Sequence, residues 1–142
     1  NAVATDFSKV AVNGVISASR MAEAAGDIIR RSGIKTARID TPVGTLSGGN
    51  QQKVVIGRWV YAGSRILLLD EPTRGVDVEA KSQIYAIIRQ LAAEGKSIIF
   101  VSSEIEELPK VCDRVLVLKD GNFVQEFSAP EIETDALMAA CL

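Results

Sequence analysis

The sequence predicts an α/β fold, and three observations carry that reading. Arg65–Asp70 and Ser97–Val101 are short, nearly continuous aliphatic runs. Such runs read as strands buried on both faces of a parallel sheet. Between them, Val78–Ala93 places Ile84, Ile87, Ile88 and Leu91 at helical spacing, with Gly95 as a stop. Strand, helix and strand in succession is the pattern of a parallel α/β unit.

The remaining elements follow in chain order. Asn1–Ser19 is weakly patterned and predicts no definite element. Arg20–Arg31 reads as a helix with Met21, Ala24, Ala25, Ile28 and Ile29 on one stripe and Gly33 just beyond its end. Thr36–Thr45, with Pro42 and Gly44, reads as a loop. A second helix is expected from Ser47, with Val55, Ile56, Trp59 and Val60 apolar and Gly63-Ser64 as its end. Trp59 is expected to pack between helices, and Arg30-Arg31 to form a solvated helix end. Ser103 is expected to cap a short helix over Glu104–Val111, with Glu106 at its acid-favouring end. Asp120-Gly121, between Arg114–Lys119 and Asn122–Phe127, signals an antiparallel hairpin. Asp113-Arg114 reads as a local ion pair or an exposed pair. Pro130–Cys141 closes the chain as a helix, and no segment repeats at a fixed period.

Composition bounds the function. Of the 142 residues, 47% are hydrophobic and 24% charged, enough apolar material for a core. A net charge of −2 gives no basic field for nucleic acid. No apolar run reaches the length of a membrane span. Cys112 and Cys141 match no metal spacing and read as free thiols in a reducing compartment. The absence of histidine removes histidine ligands, histidine bases and any Ser-His-Asp triad. The chain opens on Asn1 without a signal-peptide pattern, so it reads as a fragment, a processed product or a trimmed chain.

Two segments carry chemistry. In Leu46-Ser47-Gly48-Gly49-Asn50-Gln51-Gln52, a serine and two glycines stand where a helix begins. First-turn amides have no intrahelical partner, and the helix dipole favours an anion there by about 0.3–1 kcal/mol. Glycines let a phosphate approach the backbone, and the Ser47 hydroxyl can donate to it. The same residues also suit a flexible joint with Ser47 as an N-cap. In Ile66-Leu67-Leu68-Leu69-Asp70-Glu71-Pro72-Thr73, two acids follow a strand, at the sheet edge where α/β folds bind ligands. Asp70 suits Mg²⁺ held mostly through water, and Glu71 suits an attacking water. Alone, the pair is also compatible with a solvated turn.

Together, and in this order, the two segments resemble the ABC ATPases. Leu46–Gln52 resembles their signature motif, Ile66–Glu71 their Walker B strand, Val76-Asp77 the end of their D-loop, and Lys96–Ser103 the strand leading to their switch. The extended stretches Leu-Ser-Gly-Gly-Asn-Gln-Gln-Lys-Val and Asp-Glu-Pro-Thr-Arg-Gly-Val-Asp are similar to the second ATPase half of bacterial importers for ribose, xylose, galactose and related sugars. The resemblance runs from about Ala22 to the C-terminus. It implies a partial P-loop NTPase core with a helical signature subdomain over residues 1–63 and core elements over 64–142.

The resemblance also implies ATP and Mg²⁺ as cofactors. The expected partners are an opposing nucleotide-binding half, transmembrane permease subunits and, indirectly, a periplasmic sugar-binding protein, with no nucleic acid. The expected place is peripheral, at the cytoplasmic face of the bacterial inner membrane. In the implied head-to-tail packing, Ser47, Gly48, Gly49, Gln51 and Asp77 meet nucleotide held by the partner half. Glu71 and the switch position, Ser103, act catalytically, and Asp70 serves the metal.

Two departures bear on activity. The Gly-x-x-x-x-Gly-Lys-[Ser/Thr] loop and its strand are missing, so the chain alone is expected not to hydrolyse ATP. Ser103 stands where the family usually has histidine and cannot carry an imidazole's charge, so this half's own site is expected to be impaired. An open sheet edge and self-association of the isolated chain are expected. The alternatives are an ABC-type ATPase of DNA repair or translation, which nucleic-acid binding would favour, and a non-enzymatic module supplying the signature surface to a partner.

Overall fold

The structure, a computed structural model, describes residues 1–141. It contains β1 (Ala11–Val12), β2 (Val15–Ile16), α1 (Ala18–Arg31), α2 (Gly48–Ala62), β3 (Ile66–Asp70), α3 (Val78–Ala93), β4 (Ser97–Val101), α4 (Leu108–Val111), β5 (Arg114–Lys119), β6 (Asn122–Ser128) and α5 (Thr134–Cys141). The chain packs as two compact units, Asn1–Leu67 with Thr73–Ile98, and Leu68–Pro72 with Ile99–Leu142.

In the first unit, Asn1–Ser19, for which the sequence predicts no definite element, forms a 3₁₀ turn and a short hairpin. A 3₁₀ turn over Phe7–Val10 leads into the hairpin β1–β2, turned by Asn13 and Gly14 at φ 49° and 82°. Helix α1 starts at Ser17, whose hydroxyl accepts the Arg20 N–H. Helix α2 ends at Gly63, whose φ of 88° only glycine adopts cheaply. The helices approach closely at Gly57, where a Cβ would lie 2.7 Å from Ile28 Cγ2 and 2.9 Å from Ser32 Oγ. Val3, Ile28, Ile34 and Val54 form the core beneath, flanked by Ala24, Ile29, Val43, Leu46 and Tyr61. The apolar face of α2 is Val54 and Ile56. Val55 is 41% and Trp59 48% exposed, so Trp59 is not the expected packing residue. Arg30 stays at the surface and pairs with Asp27.

Strands β3 and β4 pair with each other. The Ser97 N–H donates to the Arg65 carbonyl at 3.0 Å in the first unit, and the Glu71 N–H to the Val101 carbonyl at 2.9 Å in the second. The expected burial on both faces does not hold. Leu67 and Leu69 are buried, whereas Ile66 and Leu68 are 62% and 73% exposed, and Ile99 and Val101 are 56% and 51% exposed. Nothing in the described residues covers that side.

In the second unit, β5 and β6 form the expected hairpin, turned by Asp120 and Gly121 at φ 50° and 78°. Val115, Val117 and Phe127 point inward onto Ile132 and Leu137. Leu137 is 1% exposed, a burial that contributes about 1.5–3 kcal/mol. Helix α5 begins only at Thr134, after the turn that carries Pro130. The expected helix over Glu104–Val111 divides into a 3₁₀ turn, Ile105–Glu107, and α4. Ser103 does not cap it, and it is Ser102 Oγ that accepts the Glu104 N–H at 3.0 Å. Arg114 pairs with Glu126 across the hairpin at 3.2 Å rather than with its neighbour Asp113.

Candidate functional site

The eight residues singled out by the sequence fall into two groups, one in each unit. The first group surrounds the start of α2. Ser47 occupies the N-cap position, yet its side chain makes no cap hydrogen bond. Its Oγ instead accepts the Asn50 Nδ2 at 2.9 Å. The first-turn amides of α2 therefore stay open, as an anion site requires. The Ser47 hydroxyl proton is free to donate outward, and the residue is exposed.

The two glycines differ in what they do. A Cβ on Gly48 would meet only the Gly75 carbonyl oxygen, at 3.8 Å, which is ordinary contact. On Gly49 it would lie 2.4 Å from Ala80 Cβ and 3.4 Å from Val76 Cγ1. Gly49 is thus demanded by the approach of α2 to α3, whereas Gly48 is the one open to a ligand. Gln51 turns back, its Nε2 donating to the Leu46 carbonyl at 2.8 Å. Asp77 caps α3 by accepting the Ala80 N–H at 2.8 Å. Ser47, Gly49 and Asp77 line one small cavity of about 140 Å³ with Lys35, Asn50, Lys53, Glu79, Ala80 and Gln83.

Asn50 and Lys53 are polar participants in this cavity that the sequence reading passed over. Asn50 Oδ1 accepts the Lys35 N–H at 2.9 Å while its other end reaches Ser47. Lys53 is 3% exposed. Its ammonium donates to the Gly33 carbonyl at 3.1 Å and to Gln83 Oε1. Gln83 in turn donates to Glu79 at 3.0 Å, and Lys35 pairs with Glu79 at 3.5 Å. Burial pushes the Lys53 ammonium below the usual lysine range, and the Lys35 charge adds to that push. Glu79 and Asp77 oppose it. The signal was available: Lys53 lies four residues from both Gly49 and Gly57, on the buried stripe of α2.

The second group stands at the end of β3. Asp70 is exposed, and among the described residues its carboxylate has no protein partner. Glu71 adopts φ 47°, a left-handed conformation that costs a non-glycine residue about 1–2 kcal/mol. Two bonds hold it there: its N–H to the Val101 carbonyl, and the Ser103 N–H donating to its Oε1 at 2.7 Å. Strain of this kind concentrates at functional sites. Ser103 thus meets Glu71 through its backbone, and its exposed side chain is left over.

Asp70 fits Mg²⁺ only as a single carboxylate beside water and phosphate oxygens. That is how Mg²⁺ is usually held at phosphate sites. Among the described residues, no group of three or more acids, cysteines or histidines could form a cage. Bound there, Mg²⁺ would offset phosphate charge, and this chain's share is the one exposed carboxylate.

The sequence profile described as "ABC transporter" matches residues 3–74. The chain belongs to the ABC transporter family. Its fold is part of an ABC ATPase cassette, mixed helix and strand. The protein cbiO1 of Clostridium perfringens, part of the ABC transporter complex cbiONQ, superposes with a TM-score of 0.72 at 28% identity, over 96% of this chain and 54% of that one. The dimeric cassette MJ0796 bound to ADP and Pi superposes at 0.68 with 24% identity, over 82% and 50%, and shows the fold. The ABC transporter ATP-binding protein YphE of Escherichia coli K12 is 61% identical over all 142 residues. The ribose import ATP-binding protein RbsA of Chelativorans sp. is 46% identical over the same span. The chain spans 28% of the length of each of these two relatives.

Proposed function

We propose that this segment is the C-terminal part of the second nucleotide-binding half of a bacterial ATP-binding subunit, coupling ATP hydrolysis to sugar import. Residues 1–63 supply a helical subdomain carrying the signature helix α2, and residues 64–142 supply part of the ATPase core. The subunit lies peripherally at the cytoplasmic face of the inner membrane. There it works with permease subunits and an opposing nucleotide-binding half, and indirectly with a periplasmic sugar-binding protein. The 46% identity to a ribose import ATP-binding protein supports a sugar as cargo. No helix among the described residues is long and apolar enough to cross a membrane, which suits the peripheral role.

The observation that carries the reading is the uncapped start of α2. Ser47 offers a hydroxyl proton, Gly48 leaves room, and the first-turn amides are open. These suit a phosphate. By the head-to-tail packing that the family resemblance implies, Ser47, Gly48, Gly49, Gln51 and Asp77 are assigned to nucleotide held by the partner half. Asp70, with Mg²⁺, and Glu71 are assigned to this half's own ATP, Glu71 as the group that orients the attacking water. Ser103 steadies Glu71 through its amide and weakens the site by replacing an imidazole. The isolated chain is expected to show no ATP hydrolysis above buffer.

Ser47→Arg in the natural gene product, reconstituted with its permease, tests the assignment. An arginine fills the space beside Gly48 and replaces the small hydroxyl with a bulky side chain, so transport-coupled ATPase and sugar uptake should both collapse. Normal coupled ATPase and uptake would refute it. One observation favours a second reading, a module that only completes a partner's site: Ser103 stands where the family usually has an imidazole. It is separated by Glu71→Gln in the same assembly, which leaves activity intact only under that second reading.

A further inference from the structure

We infer that Asn50 is a positioning residue for Ser47, fixing the serine hydroxyl so that its proton faces out of the first unit toward the nucleotide. The inference rests on the preceding assignment of Ser47 and adds the group that aims it. The argument begins with Lys35. Its backbone N–H can only donate, and it meets Asn50 at 2.9 Å. That end of the Asn50 amide must be the oxygen, so the other end is the NH₂ group, which can only donate. The NH₂ lies 2.9 Å from Ser47 Oγ, and Ser47 must accept.

A hydroxyl has one proton and two lone pairs. With one lone pair taken by Asn50 and no bond to the helix amides, the Ser47 proton has no partner among the described residues. A free serine at an N-cap turns its oxygen toward the second or third helical amide and closes the anion site. Asn50 prevents that by drawing Ser47 Oγ to a side-chain donor. The first-turn amides and the hydroxyl proton are then all available to one ligand.

The anchor is itself anchored. Lys35 lies in the turn after α1, and its side chain pairs with Glu79 of α3 at 3.5 Å. Lys53, one turn along α2 from Asn50, ties α2 to the Gly33 carbonyl and to Gln83. The backbone that orients Asn50 is thus held on three elements, with a side chain in every link. Asn50 touches no nucleotide in this account and acts only through Ser47.

The test is a double-mutant cycle on Ser47→Ala and Asn50→Ala in the natural gene product with its permease, read as kcat and KM for ATP. Thermal unfolding of each variant is followed in parallel. Loss of one orienting hydrogen bond should lower kcat/KM about three- to tenfold in Asn50→Ala. In the Ser47→Ala background, Asn50→Ala should then change nothing further. Independent effects that multiply would overturn the inference and leave Asn50 a structural residue. A Ser47→Ala variant with unchanged kinetics would overturn the assignment of Ser47 itself, and the positioning role with it. Should alanine at position 50 prevent folding, Asn50→Asp keeps the acceptor for Lys35 and puts a charged acceptor in place of the donor to Ser47, which draws the serine proton inward. Wild-type kinetics in that variant would equally overturn the inference.

Discussion

A methyl group added to Gly49 should damage the fold, while the same methyl on Gly48 should not. In Gly49→Ala the new Cβ would sit 2.4 Å from Ala80 Cβ, far inside van der Waals contact, and 3.4 Å from Val76 Cγ1. A Cβ cannot rotate away, so α2 and α3 must separate. Overpacking of this kind costs about 1–3 kcal/mol. The better helix propensity of alanine returns less than about 1 kcal/mol, because the site lies in the first turn. At about 2–4 °C per kcal/mol for a chain of this length, melting should fall by several degrees. In Gly48→Ala the nearest atom is the Gly75 oxygen at 3.8 Å, and melting should match the wild type. The assay is thermal unfolding followed by far-ultraviolet circular dichroism. ATPase kinetics in the natural gene product complete the comparison, since Gly48→Ala should lose activity while keeping stability. Equal melting of Gly49→Ala and wild type would refute the claimed approach of the two helices.

Three further outcomes follow from particular environments. Burial, aided by the neighbouring Asp113 charge, raises the Cys112 thiol above its usual range, while Cys141 is exposed. Maleimide or disulfide reagents at neutral pH should therefore label Cys141 first. Faster labelling at Cys112, mapped by peptide mass, would contradict the packing beneath the hairpin. Lys53→Met should destabilise the first unit by about 1–3 kcal/mol, by stranding the Gly33 carbonyl and the Gln83 amide. The folded state holds the Lys53 proton less tightly than the unfolded state does. Wild type should therefore gain stability over Lys53→Met as pH rises through the alkaline range below the ordinary lysine value, and a flat difference across urea titrations would deny the burial. Leu68 is 73% exposed and Ile99 is 56% exposed. Leu68→Glu should shift the isolated chain toward monomer in light scattering, where wild type is expected to self-associate.

Local chemistry made the elements legible in the sequence. Helices α1 and α3 follow their apolar periods, and the β5–β6 turn follows from Asp120-Gly121. Asn13-Gly14 carries the same turn chemistry and turns β1–β2, but the flanking strands are two residues long and show no alternation to read. Burial was harder to read, because it depends on what covers a face. Ile66, Leu68 and Trp59 have core-like side chains and stand exposed, since period and residue type say nothing of whether a covering layer is present. Phe123 and Leu118, paired on the outer face of the hairpin at 72% and 61% exposure, repeat the lesson.

The candidate site was legible as letters and not as directions. Ser47, Gly48, Gly49, Asp70 and Glu71 are named by their motifs, and the motif treats the two glycines alike. Only the distance to Ala80, 31 positions later, separates the packing glycine from the open one. The orientation of Ser47 likewise depends on the Lys35 amide, which reaches the signature through Asn50 fifteen positions away. The strain at Glu71 depends on two bonds from Val101 and Ser103. Each of these is a tertiary contact that no window along the sequence contains. The arrangement is also compatible with the role proposed for Glu71 when serine stands at position 103. The bond that fixes the carboxylate comes from a backbone N–H, which any residue but proline supplies. Replacing Ser103 by histidine should therefore leave the Glu71 geometry intact and raise ATP turnover in the natural gene product. No gain in turnover would mean that the side chain at this position is not what limits the site.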